Sequence, residues 1–304
     1  MKTRCAHAWP LVAAAGIVLL ASAAPLAARE SPPPLGTPRD FALPEKSTTT
    51  LTNGLGITCV PFGTVPKATI LVVVRTGNID DGARTGLADF VAELLKEGAG
   101  GRSAAELARS AEAMGGTLDI GVTPEQTTIT LDVLSEHAAD ALALAADVLR
   151  RPTLPESEVE RLKANFLRQV ALARSQPQAI AGEAYARLLW GDHPYGRSLP
   201  TEQDVAAYSA QAARRFVADN FGAARTHVYV GGRFDPAAVA RTIEAAFGDW
   251  APGRPPTQDV PRGVRVQQLE LIDRPGAEQS TIMLGLPTID PTAPDYVALV
   301  VTNA

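Results

Sequence analysis

The chain has 304 residues, 46% hydrophobic and 20% charged, which excludes a disordered polymer and leaves length for one large or two ordinary domains. Its formal net charge of −5 points away from nucleic acid and anionic membrane surfaces as partners. With two cysteines, at positions 5 and 59, a disulfide framework is not the basis of the fold.

At the start, Lys2 and Arg4 precede the apolar run AWPLVAAAGIVLLASAA. That is the layout of a secretory signal peptide, assigned to residues 1–28 with cleavage after Ala23 or Ala28. The run is short of the roughly 20 residues a spanning helix needs, so no membrane span is expected once it is removed. Export across the inner membrane makes the periplasm the expected location. Lys2 and Arg4 leave with the signal, so 28 basic residues become 26 against 33 acidic, a net charge of −7. Cys5 leaves too, and Cys59 remains in an alternating apolar stretch that suits a buried, inert thiol.

Residues 29–46 hold three consecutive prolines and read as a stiff leader, with order expected from Ser47. TTTLTNGLGITCVPF is a hairpin signal, two alternating runs around Asn53-Gly54 that suit a type I′ turn. ATILVVVRTG follows as a strand buried on both faces. The loop NIDDGARTG delivers the chain into the helix LADFVAELL, which Gly98 to Gly101 end. Ser103 and Glu106 form a capping box for the next helix. TLDIGVTPEQTTITLDVL alternates again and turns near Pro124. From Ser135 to about Asn220 the pattern is helical, punctuated by Pro152, Pro155, Pro177 and the loop DHPYGRSLPT. THVYVGG is a strand, and Asp235-Pro236 open a final helix. The pattern predicts an α+β domain over residues 47–250, an antiparallel-rich sheet with helices on one side.

After the Pro-rich linker, residues 251–262, the order strand, turn, buried strand, loop and helix start recurs over residues 263–304. Placing Ile79-Asp80 over Ile289-Asp290 gives a displacement of 210 residues. This is read as the start of a second copy of the domain, stopping mid-helix as a truncated record.

In sequence, "RTGNIDDGARTGLADFVAELLKEG", "VTPEQTTITLDVLSEH", "LPESEVERLKANFLRQV" and "GDHPYGRSLPTEQDV" follow one another in an order and spacing that resemble the pitrilysin/insulinase metallopeptidases. That family includes the mitochondrial processing peptidase and the respiratory-complex core proteins. The resemblance implies two homologous halves enclosing a chamber, and a zinc site on the helix of residues 87–95. In catalytic members this helix carries H-x-x-E-H. Two histidines one turn apart bind zinc, the glutamate between them takes a proton from metal-bound water, and a glutamate from a later helix completes the site. Here the corresponding residues are Asp89, Ala92, Glu93 and, on the later helix, Gln169, with Arg168 as the adjacent choice. No zinc ligand set and no general base is therefore expected in this chain, and no cofactor.

Two carboxylates one turn apart, at Asp89 and Glu93, leave open a site for a hard cation, which would need several further oxygen ligands. His193 reads as a loop-fixing hydrogen bonder, His137 as exposed on a first helical turn, and His227 as opening a strand. The resemblance further implies that extended peptides add to a sheet edge at Gly116, Thr117, Leu118, Asp119, Ile120 and Gly121, through main-chain groups that survive loss of the zinc ligands. The expected function is a catalytically silent, peptide-binding subunit supporting an H-x-x-E-H partner that carries the zinc. The alternatives are a non-proteolytic binding or structural protein on the same fold, and a metal-dependent peptidase with an Asp/Glu site.

Overall fold

The computed structural model describes residues 36, 42–256, 260–265 and 267–303. The expected signal peptide and most of the leader lie outside the described residues. The body beginning at Pro44 is built on a six-stranded sheet. Its strands are β1 (Ser47–Thr50), β2 (Gly56–Pro61), β3 (Lys67–Val74), β6 (Leu118–Val122), β7 (Thr127–Leu134) and β8 (Thr226–Gly232). The order across the sheet is β1-β2-β8-β3-β7-β6. Every pairing is antiparallel except that of β2 with β8. The small pair β4 (Gly98–Ala99) and β5 (Arg102–Ser103) makes the turn after the first helix.

Helices follow the sequence punctuation. They are α1 (Leu87–Leu95), α2 (Ala104–Ala113), α3 (Ala138–Arg150), α4 (Val159–Ser175), α5 (Pro177–Trp190), α6 (Glu202–Ala206), α7 (Ala210–Asn220), α8 (Pro236–Phe247) and α9 (Tyr296–Thr302). Ser103 and Glu106 form the expected capping box on α2, with the Ser103 N–H donating to Glu106 Oε2 at 2.9 Å. Asp235 caps α8 by accepting from Ala237 N at 2.9 Å.

The core lies between one sheet face and the helices. Ile70, Val72 and Val74 of β3, Ile129, Leu131 and Val133 of β7, and Val228 and Val230 of β8 are buried. Against them pack Ala141, Leu142, Ala145 and Val148 of α3, and beside α3 lies α8. Each buried Val, Leu or Ile among them contributes about 1.5–3 kcal/mol by leaving water.

Three expectations need correction. The strand β3 is not buried on both faces, because burial alternates along it and Thr69, Leu71 and Val73 lie on the uncovered side. The hairpin turn is not type I′, because Gly54 has φ +92° while Asn53 stays at negative φ. Instead, Gly54 N donates to Leu51 O at 2.9 Å, and the Asn53 amide reaches Phe247 O at 2.6 Å and Trp250 O at 3.0 Å beyond the end of α8. Asn53 is thus held by a tertiary contact rather than by turn chemistry. Finally, no strand forms among the described residues of 260–303. A strand needs a neighbour to pair with. This segment runs along α5, with Val264 N donating to Leu189 O at 2.8 Å and the Arg187 guanidinium gripping Glu270 at 2.7 and 2.9 Å.

The loop into α9 nevertheless repeats the loop into α1. Arg84 N donates to Asp81 O, Leu87 N to Arg84 O and Phe90 N to Gly86 O. Ala293 N donates to Asp290 O, Tyr296 N to Ala293 O and Leu299 N to Asp295 O in the same sequence. Each pair is displaced by 209 residues, so the register differs by one from the sequence alignment. The strand β8 lies between β2 and β3, which ties residues past 226 to the first sheet.

Candidate active site

A cavity of about 400 Å³ opens beside the start of α1. Its walls come from the loop before α1, from α4, and from the loop between α5 and α6. Asn78, Asp89, Gln169, Tyr195 and Arg197 supply polar groups, and Ile79, Pro124, Phe166, Val170 and Leu199 are among the apolar walls. Pro124 follows β6 by two residues, so the edge strand ends at the cavity rim.

Buried Asp81 organises the entry to α1. Its two carboxylate oxygens accept from Gly86 N and Ala88 N, each at 2.7 Å, and so satisfy donors at the helix start that no helical carbonyl reaches. Burial pushes its carboxyl up to about 7, against the opposing pull of the Ala88 and Gly86 N–H groups and Asn78, and with Asp89 adding like charge. Gly86 sits at φ +82°, and a Cβ there would come within 2.6 Å of the Tyr208 hydroxyl. That hydroxyl donates to Thr85 O. Tyr208 stacks on Phe90 with ring centroids 4.9 Å apart, and Phe166 of α4 completes the aromatic cluster. Behind the loop, Arg225 is buried against Asp80 at 3.3 Å and donates to Arg254 O and Pro255 O, tying the site to the linker.

Of the four positions that the resemblance sets against the zinc motif, the fold brings Asp89 and Gln169 to one cavity, on α1 and α4. Asp89 is half-buried and accepts from Asn78 Nδ2 at 2.6 Å through Oδ2. Burial holds its carboxyl above the ordinary carboxylate range, with the charge of Glu93 adding to the effect. Glu93 does not line the cavity, and its carboxylate turns to Lys96 instead. Ala92 is buried at 4% exposure and offers a methyl group. Among the described residues, no three His, Cys, Asp or Glu side chains converge as a metal site. A donor set of one carboxylate and one neutral amide does not fit zinc, which takes three or four nitrogen, sulfur or carboxylate ligands. Nor does it fit a hard cation that needs at least six oxygens.

The edge strand begins later than expected. Gly116 and Thr117 lie outside β6, because Gly115 at φ +76° and the Gly116 N–H bond to Ala111 O still belong to the end of α2. Leu118, Asp119, Ile120 and Gly121 are in the strand, which pairs with β7 on one side, and α1 packs against it. Sequence reasoning missed Asn78, Asp81 and Arg197. The signal for Asp81 was present in the Asp-Gly step ahead of the helix. Arg197 reaches the site only through the fold, where its guanidinium donates to Gly82 O at 2.7 Å. His193 fixes its loop as expected, with Nδ1 accepting from Tyr195 N at 3.2 Å. His137 pairs with Asp140, and His227 bonds the Thr58 hydroxyl at 2.8 Å and stacks on Tyr229. Burial raises the Cys59 thiol, in keeping with an inert role.

A mixed sheet with helices packed on one face gives the chain a fold of the pitrilysin kind. Residues 63–202 match Insulinase (Peptidase family M16), and residues 207–304 match Peptidase M16 inactive domain. The chain belongs to the M16 peptidase family. It is 28% identical to an uncharacterized zinc protease of Mycobacterium leprae, over 79% of this chain and 55% of that protein. It is 26% identical to a probable mitochondrial-processing peptidase subunit beta of Schizosaccharomyces pombe, over 74% of this chain and 50% of the other. Among solved structures, a peptidase M16 inactive domain from Pseudomonas fluorescens aligns with a TM-score of 0.65 at 21% identity, over 72% of this chain and 54% of that one. The chain spans about half the length of the curated relatives it matches. Among the described residues, no helix is long and apolar enough to cross a membrane.

Proposed function

We propose that this chain is a catalytically silent, peptide-binding subunit of a two-chain M16 metallopeptidase, with the zinc carried by an H-x-x-E-H partner. The observation that carries the reading is the content of the cavity. Where a metalloprotease needs ligands and a base, this chain offers Asp89, Gln169 and, buried behind them, Ala92. General-base help is worth about 10²–10⁴ in rate, and a methyl group supplies none. What remains suits binding: an edge strand with main-chain groups to pair, ending at a walled cavity. The basic and apolar start of the chain supports work in the periplasm, as does likeness in fold to a periplasmic protease of Escherichia coli. Sequence similarity to a protein named as a processing-peptidase subunit supports a homologous partner.

The test is co-expression with an H-x-x-E-H homologue of the same family. The two chains are expected to co-purify, the pair to cleave peptides in a chelator-sensitive way, and this chain alone to cleave none. Full activity of the partner alone, or stoichiometric zinc bound to this chain, overturns the reading.

A further inference from the structure

We infer that the cavity beside α1 takes a protonated primary amine of the bound peptide, either a lysine side chain or the amino terminus, with Asp89 as its counter-ion. This rests on the peptide-binding reading above and names what the site selects.

Asp89 is a half-buried carboxylate lining a cavity, and among the described residues no cation lies within salt-bridge distance of it. Lys96 pairs with Glu93, while Arg197 on another wall of the same cavity donates to Gly82 O and leaves its buried Nε without a hydrogen-bond partner among the described residues, so its charge works against a second cation near it and favours one seated close to Asp89. A carboxylate partly shielded from water favours a positive partner. Its surroundings also choose among cations. Asn78 occupies Oδ2 at 2.6 Å, and Oδ1 accepts from no other residue among those described. Asn78 on Oδ2 competes with the second arm of an arginine fork, which gains most from two acceptors, more than with a single ammonium contact of lysine or an amino terminus at Oδ1. Phe166, Val170, Ile79 and Leu199 give apolar walls for an aliphatic stem, and the Gln169 amide offers a further acceptor. Because Pro124 at the rim continues from β6, a peptide lying along β6 passes the cavity mouth.

The test uses the full chain and short Thr/Val/Ala peptides, fluorescent at an amidated C-terminus, read by anisotropy. One carries a central lysine with an acetylated amino terminus, and others replace that lysine by acetyl-lysine or arginine. A last peptide has no lysine and a free amino terminus. The lysine or the free-terminus peptide is expected to bind about 10- to 100-fold tighter than the acetyl-lysine peptide. Whichever of them shows the gain identifies the source of the amine. Asp89→Asn is expected to remove the gain. Gln169→Lys, on the exposed side of α4, places a competing ammonium at the cavity and is expected to do the same without disturbing the core. Equal affinities for amine and acetylated peptides, an arginine peptide as tight as lysine, or a preference that survives both variants overturns the inference and leaves peptide binding standing. If no peptide binds, both fall.

Discussion

Replacing Asp81 by Asn tests the electrostatics of the loop into α1. In the folded chain the Asp81 carboxyl is pushed up to about 7 from an ordinary 3.8. Between those values the folded protein holds a proton that the unfolded chain has released. Stability therefore declines as pH rises, by about 1.4 kcal/mol per pH unit. The contribution is complete below about pH 4 and is lost as pH climbs through about 7, for a total near 4 kcal/mol. Asp89, raised in the same direction, adds to the slope. Asp81→Asn removes this titration but has one acceptor oxygen for two N–H donors, so it costs about 1–3 kcal/mol at acidic pH. The gap between wild type and variant should therefore close, or reverse, toward pH 8. Urea unfolding across about pH 4 to 8, followed by far-UV circular dichroism, measures both curves. Parallel curves would refute the assignment of a buried, proton-holding Asp81.

Three further outcomes follow from the same region. Gly86→Ala is expected to lose about 1–3 kcal/mol, from a left-handed backbone and a contact with the Tyr208 hydroxyl, and adding Tyr208→Phe should recover part of it; thermal unfolding of both variants checks this. Arg225→Met strands Asp80 inside the protein and should cost about 3–5 kcal/mol in urea unfolding, whereas combining it with Asp80→Leu should restore most of the loss. Phe90→Ala opens a cavity beneath the site between Tyr208 and Phe166, with an expected loss of about 3–5 kcal/mol and a fall in peptide affinity read by anisotropy.

The domain was legible where local chemistry decides. The alternation in β7, the Ser103–Glu106 box and the prolines that punctuate the helices act over a few residues, and the structure keeps them. It was illegible where distant residues decide. Asn53 looks like a turn residue until Phe247 and Trp250 arrive to accept from it. The run of β3 reads as doubly buried, but which face is covered depends on where α3 lies. For the site, family spacing placed Asp89 and Gln169 on facing helices. The Glu93–Lys96 pair is local, three residues apart, but no local pattern shows that Asn78 and Arg197, far apart in the chain, meet around one cavity.

The position of β8 has a consequence for how the protein is made. Ile57 reaches the rest of the sheet only through Val228, and Val72 pairs with that same residue. Until β8 leaves the ribosome, the amino-terminal hairpin and the β3-β7-β6 ribbon are two separate pieces, each showing an open edge to the cell. A nascent chain stalled before Thr226 is therefore a sticky intermediate, and closure of the sheet is a late, slow event of high contact order.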